Sequence, residues 1–161
     1  MFSGSAVVDW NNTSGFGKGG EPPMIAIYTG HTATHQHQSI AYSNDRGRTW
    51  TKYSGNPVIP STRRHFRDPK VLWHEQTGQW IMLTVLADER KIRFFGSKNL
   101  KDWVHLSDFG PSGAFEVRNW ECPDLFELPV ENVPGEKKWV LQVDSGDGHP
   151  AGGSGCQYFV G

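Results

Sequence analysis

The feature that most constrains how these 161 residues can fold is a pattern that recurs about every 53 positions. Arg67-Asp68-Pro69 is followed by an apolar strand, a Gly-containing turn at 75–78 and a second strand led by Trp80. Glu121-Cys122-Pro123 is followed by the same series: an apolar strand, a turn containing Pro134-Gly135, and a strand led by Trp139. The two prolines lie 54 positions apart. A second marker, the turn 43–50 ending in Trp50 and the turn 97–103 ending in Trp103, repeats after 53. Ser3-Gly4-Ser5 opens an earlier copy, stretched by a Gly-rich insertion over 11–23.

Each copy is built from short apolar runs bounded by turn residues. Strands are expected at 5–9, 24–28, 39–42, 51–53, 70–73, 80–86, 91–95, 103–106, 123–128, 138–143 and 157–160. No window carries the spacing of an amphipathic helix, so helix content should be near zero. Four short strands per unit of about 50 residues is the signature of a β-propeller blade, which must stack against neighbours to bury both its faces. A β-sandwich with chance similarity between hairpins is the alternative. The fold class is therefore read as all-β, with blades at 1–60, 61–115 and 116–161, the last lacking its fourth strand. Propellers close with about 4–8 blades, so three blades are expected to be a fragment of a larger ring.

Charge narrows the partners. Lys and Arg total 16 against 17 Asp and Glu. That balance offers neither the basic footprint that nucleic acid requires nor a polybasic membrane surface. No apolar stretch approaches the length of a membrane span, and the first five residues do not read as a signal peptide. A neutral ligand fits best, and the 7 Trp suit a sugar cleft, although most aromatics of an all-β domain fill its core. Cys122 and Cys156 fit no zinc spacing.

In a propeller the innermost strand of each blade lines a central channel. The repeat puts Asp68 and Glu121 at equivalent starts of two such strands, aiming both carboxylates into one funnel. Two acids in one pocket are the raw material of glycoside hydrolysis, and crowding with partial burial should raise the pKa of one of them. A structural salt bridge or a turn cap is the commoner role for either.

Three motifs then occur in order: Phe2-Ser3-Gly4-Ser5-Ala6-Val7, Phe66-Arg67-Asp68-Pro69-Lys70-Val71 and Trp120-Glu121-Cys122-Pro123-Asp124-Leu125. Gln38 to Ser43, Asn99 to Trp103 and Gln157 to Gly161 accompany them. Across its whole length the chain resembles glycoside hydrolase family 32, the invertase, exo-inulinase and levanase family. The resemblance implies a five-bladed propeller, usually followed by a β-sandwich, and retaining hydrolysis of β-fructofuranosyl bonds in sucrose, inulin or levan. It implies Glu121 as general acid/base and Asp68 as transition-state stabiliser, with Phe2, Ser3, Arg67, Trp120 and Cys122 around the sugar. It implies no cofactor and no metal, and a secreted parent. The family's nucleophilic Asp lies in a Trp-x-Asn-Asp-Pro-Asn-like segment upstream of the Phe-Ser-Gly-Ser motif. No Asn-Asp-Pro occurs here, so the chain alone is expected not to turn over. A related-clan five-bladed glycosidase and a non-catalytic sugar-binding propeller are the alternatives.

Other features read as structural. His31, His35 and His37 lack a carboxylate or Cys to complete a metal set. The turn 43–50 resembles an Asp-box, with Asp45 bonding backbone N–H groups and Trp50 packing between blades. The Gly-rich stretch 13–20 and the loop 144–148 read as surface loops.

Overall fold

The computed structural model describes residues 1–113 and 118–161; the expected boundary at 115/116 lies outside them. Among the described residues, eleven strands form three antiparallel sheets of consecutive strands. The first sheet holds β1 (Gly4–Val8), β2 (Met24–His31), β3 (Gln36–Ser43) and β4 (Thr51–Lys52). The second holds β5 (Phe66–His74), β6 (Gln79–Leu86), β7 (Lys91–Ser97) and β8 (Val104–Phe109). The third holds β9 (Glu121–Pro129), β10 (Lys137–Ser145) and β11 (Gly155–Val160). One 3-10 turn, Ala87–Glu89, is the only helical element among the described residues. No helix there is long and apolar enough to cross a membrane.

Each sheet buries alternate residues against its neighbour, as the two-residue period of a strand dictates. Ile25, Ile27, Ile40, Phe66, Val71 and Met82 fill the seam between the first and second sheets. Leu83, Val85, Ile92, Trp120, Leu141 and Val143 fill the seam between the second and third. These are two parallel seams between stacked blades, the packing a propeller requires.

Strands β1, β5 and β9 lie at the same edge of their sheets and side by side. Polar side chains knit their backbones together. Ser5 Oγ donates to Pro69 O and accepts from Val71 N, both at 3.0 Å. Thr29 Oγ1 accepts from Asp68 N at 2.9 Å and donates to Gln38 Oε1 at 3.0 Å. Gln38 Nε2 donates to Phe66 O at 2.9 Å. These bonds satisfy buried backbone groups that have no partner in their own sheet.

The two turns matched in the sequence share a device. Trp50 Nε1 donates to Gly47 O at 3.0 Å, and Trp103 Nε1 to Leu100 O at 3.1 Å. Asp45 accepts from Thr49 N and Thr49 Oγ1, bonds that hold its carboxyl down at about 2. Trp103 packs on the first seam, whereas Trp50 stays 41% exposed rather than wedged between blades.

The first inner strand starts with glycine for a steric reason. A Cβ on Gly4 would lie 2.0 Å from Ile27 O and 2.8 Å from Tyr28 Cα, both backbone atoms that cannot swing aside. Gly4→Ala is therefore expected to push β1 off β2 and cost about 1–3 kcal/mol, read as a lower thermal unfolding midpoint. An unchanged midpoint would mean that β1 sits loosely on its sheet.

Candidate active site

The inner strands β5 and β9 begin with the same distortion. Arg67 pairs with Val85 and Lys70 with Leu83, so β5 carries one extra residue. Glu121 pairs with Asp144 and Asp124 with Gln142, so β9 does the same. The residues of these bulges that take left-handed backbone are Asp68 (φ 58°) and Cys122 (φ 44°). That conformation costs a residue with a Cβ about 1–2 kcal/mol. Bulges of this kind re-aim side chains and recur beside functional sites.

The bulges correct one expectation about the repeat. Asp68 is structurally equivalent to Cys122, not to Glu121, and Glu121 is equivalent to Arg67. Aligning the motifs on their prolines already places Glu121 two residues before Pro123 and Asp68 one residue before Pro69. The acids still meet, because neighbouring rungs of β5 and β9 face each other. Arg67 Nη2 donates to Glu121 Oε1 at 2.7 Å, and Arg67 Nε lies 3.6 Å from Asp68 Oδ2. Cys122 N donates to Asp68 Oδ2 at 3.1 Å. Lys70 Nζ pairs with Asp124 at 2.8 Å one rung further on. One guanidinium therefore holds both carboxylates.

A cavity of about 500 Å³ opens over this pair. Its walls include Phe2, Ser3, Arg67, Asp68, Glu121 and Cys122, so the structure brings six of the seven expected site residues together. Trp120 is the exception. It is fully buried, with its ring 5.8 Å from Phe159 and 6.2 Å from Phe109. The expectation that Trp120 touches sugar is corrected: its alternation with Glu121 turns it into the seam between the second and third sheets. Its counterpart Phe66 is likewise buried, while Phe2, third in that alignment, is 47% exposed and stacks on His31.

The remaining walls come from His31, Gln36, Arg64, His65 and Asn119, which the sequence reading did not select. His31 is the last residue of β2 and pairs with Gln36, the first of β3, so the hairpin end forms one rim. Counting back two residues from Arg67 and from Glu121 would have marked His65 and Asn119; nothing in the sequence alone placed the hairpin there. The histidine trio does not converge. His35 Nδ1 bonds the Thr32 and Thr34 hydroxyls, each at 3.0 Å, and His37 covers Gly30. Among the described residues no group of three His, Cys, Asp or Glu side chains is placed to hold a metal ion.

Asp68 is 6% exposed, and burial pushes its carboxyl above the usual range despite the Cys122 N–H and Arg67. Burial also pushes the Cys122 thiol up, reinforced by Asp68 and Asp144, so it stays protonated and points its S–H at Asp68 Oδ2, 3.9 Å away. A carboxyl with a native pKa above its unfolded value binds its proton more tightly when folded. Stability then falls as pH rises from the unfolded value near 3.8 through the raised native value, and stays lower above it. Asp68→Asn keeps an acceptor for Cys122 N but carries no charge. Its thermal midpoint at pH 7 is expected to match or exceed that of the unmodified chain, with the gain vanishing below about pH 4. A lower midpoint at pH 7 would show that the charge stabilises the fold.

The model of the glycosyl hydrolases family 32 N-terminal domain matches residues 1–161. A levanase of Bacillus subtilis is 59% identical over all of this chain, which covers 24% of the levanase. An extracellular exo-inulinase of Aspergillus niger is 46% identical over 99% of the chain, covering 34% of that protein. The structure of β-fructofuranosidase from Schwanniomyces occidentalis complexed with fructosyl-erythritol superposes with a TM-score of 0.93 at 49% identity, over 100% of this chain and 31% of that one. The chain thus spans roughly a quarter to a third of the length of these relatives. With the family model matched from end to end and the blade packing reproduced in solved relatives, the chain belongs to glycosyl hydrolases family 32, as part of its N-terminal β-propeller domain.

Proposed function

We propose that, in a protein as long as its relatives, this chain supplies the general acid/base and the fructosyl-binding wall of a secreted enzyme that hydrolyses β-fructofuranosyl bonds in sucrose or fructan. The observation that carries the reading is Arg67 holding Asp68 and Glu121 over a single cavity of sugar size. Similarity to a levanase and to extracellular exo-inulinases supports both the substrate class and the secretion.

The geometry suits a retaining mechanism. The fructosyl ring would sit against Phe2 and Ser3 with its hydroxyls donating to Asp68. Those bonds favour the carboxylate and offset the burial that favours its protonated form. As the ring takes on oxocarbenium character, a carboxylate already stripped of water stabilises the growing positive charge without reorganising. Arg67 holds Glu121 Oε1, so Oε2 would carry the proton to the leaving oxygen and then take one from water. The nucleophile would be an Asp outside these 161 residues, in the Asn-Asp-Pro context the family uses.

A second reading is a sugar-binding propeller without turnover, which would use the same cavity walls with no nucleophile. Incubation with sucrose, inulin and levan separates the two. The full-length parent is expected to release fructose with retention of anomeric configuration, and the 161-residue chain none. A parent that binds fructan and releases nothing would establish the binder. Turnover by the isolated chain would refute the nucleophile argument.

A further inference from the structure

We propose that His31 is a specificity-determining residue: its imidazole Nε2–H is a fixed donor on the cavity rim that reads a hydroxyl of the leaving-group sugar. The inference rests on the fructosidase reading above and names the part of the substrate that this rim recognises.

The proton assignment follows from a chain of bonds with one free choice at neither end. Phe66 N can only donate, and it donates to Gln36 Oε1 at 2.9 Å. The Gln36 side chain is 2% exposed and held by that bond, so its amide nitrogen must face the other way. It faces His31 Nδ1 at 3.4 Å. An amide NH2 cannot accept, so Nδ1 is the acceptor and the ring proton sits on Nε2. Phe2 fixes the ring plane from the side, stacked at 4.6 Å and 21°. Two independent contacts thus hold an exposed side chain in one orientation, at the end of a strand where nothing in the fold demands it. Preorganised donors of this kind bind at low entropic cost.

Position then selects the ligand. Asp68 marks the deep, buried end of the cavity, and His31, Arg64 and Asn119 its exposed edge. Glu121, 38% exposed at its side chain, is intermediate in burial between Asp68 and these edge residues. A group leaving the fructosyl carbon with the proton from Glu121 departs toward solvent, past His31. It presents hydroxyls when it is glucose or another fructose, and none when it is a simple aryl alcohol.

The test uses the full-length parent and two substrates that share the fructosyl half, sucrose and an aryl β-fructofuranoside. His31→Phe keeps the stack on Phe2 and removes the donor; His31→Gln keeps a donor amide near the Nε2 position and removes the ring. For His31→Phe, kcat/KM with sucrose should fall about 10-fold or more, while the aryl substrate stays within about 3-fold. His31→Gln should recover part of the sucrose loss. An equal fall on both substrates would place His31 on the fructosyl ring or in the fold and overturn the proposal. So would unchanged sucrose kinetics in His31→Phe. If the unmodified parent cleaves neither substrate, the fructosidase reading itself fails, and that result is visible before any variant is made.

Discussion

Glu121→Ala in the full-length parent is expected to lower kcat for sucrose and fructan by about 10²–10⁴-fold, the usual worth of a positioned general acid. The loss should depend on the leaving group. A sugar alkoxide leaves poorly and needs the proton; an activated aryl oxide needs it far less in the first step. The variant should therefore keep much of its glycosylation rate on the aryl fructoside while losing it on sucrose. Deglycosylation also uses Glu121, now as base, so the covalent intermediate should accumulate and give a burst of aryl product followed by a slow steady state. Added azide, which needs no base, should speed that second phase. A sucrose rate unchanged by the substitution would remove Glu121 from the acid role. The substitution also strips Arg67, 12% exposed at its side chain, of its closest anion, leaving Asp68 at 3.6 Å as its remaining carboxylate partner among the described residues. Glu121→Gln, which keeps an acceptor for Arg67, separates lost acid chemistry from that disturbance.

Trp120→Ala is expected to cost about 3–5 kcal/mol of stability, the range for truncating a fully buried Trp or Phe. The indole is the largest side chain in the seam between the second and third sheets and packs among Leu83, Val85, Leu141 and Val143. Among the described residues the third sheet has three strands, and this ring and Phe159 both pack against Phe109 of the second. Its loss should open that seam before the first, seen as early hydrogen exchange in β9 and β10 while β5 to β7 stay protected. Trp120→Phe should recover much of the midpoint. A variant with unchanged stability and weakened sugar binding would return Trp120 to the binding wall, against its complete burial.

These two residues are neighbours in the chain and opposite in role, which shows how far the sequence could be read. The strands, their grouping and the almost complete lack of helix were legible because they rest on local rules: alternating apolar residues and turn residues at regular intervals. The structure lengthened eight of the eleven strands by two to five residues, since pairing continues through polar ends such as Gln36 and His37 that pattern alone assigns to loops. The meeting of Asp68 and Glu121 was also legible, because equivalent strands of adjacent blades must lie side by side. The rung on which they meet was not. An extra residue in β5 and in β9, with Asp68 and Cys122 in left-handed backbone, makes Arg67 the counterpart of Glu121, and a bulge leaves no mark in hydrophobic periodicity.

By itself, then, the sequence determined the repeat, the all-β class, the carboxylates and the motifs that identify the family. Tertiary structure alone decided which face each of those residues would serve. Phe2, Phe66 and Trp120 hold the same place in three copies, yet only Phe2 reaches the cavity, while Phe66 and Trp120 lie in seams between sheets. His31 came to that cavity by hairpin pairing with Gln36 and stacking on Phe2, twenty-nine positions away in the chain. The physical reason is that periodicity reports the conformation of a strand, whereas burial and contact depend on what a distant part of the chain lays against it.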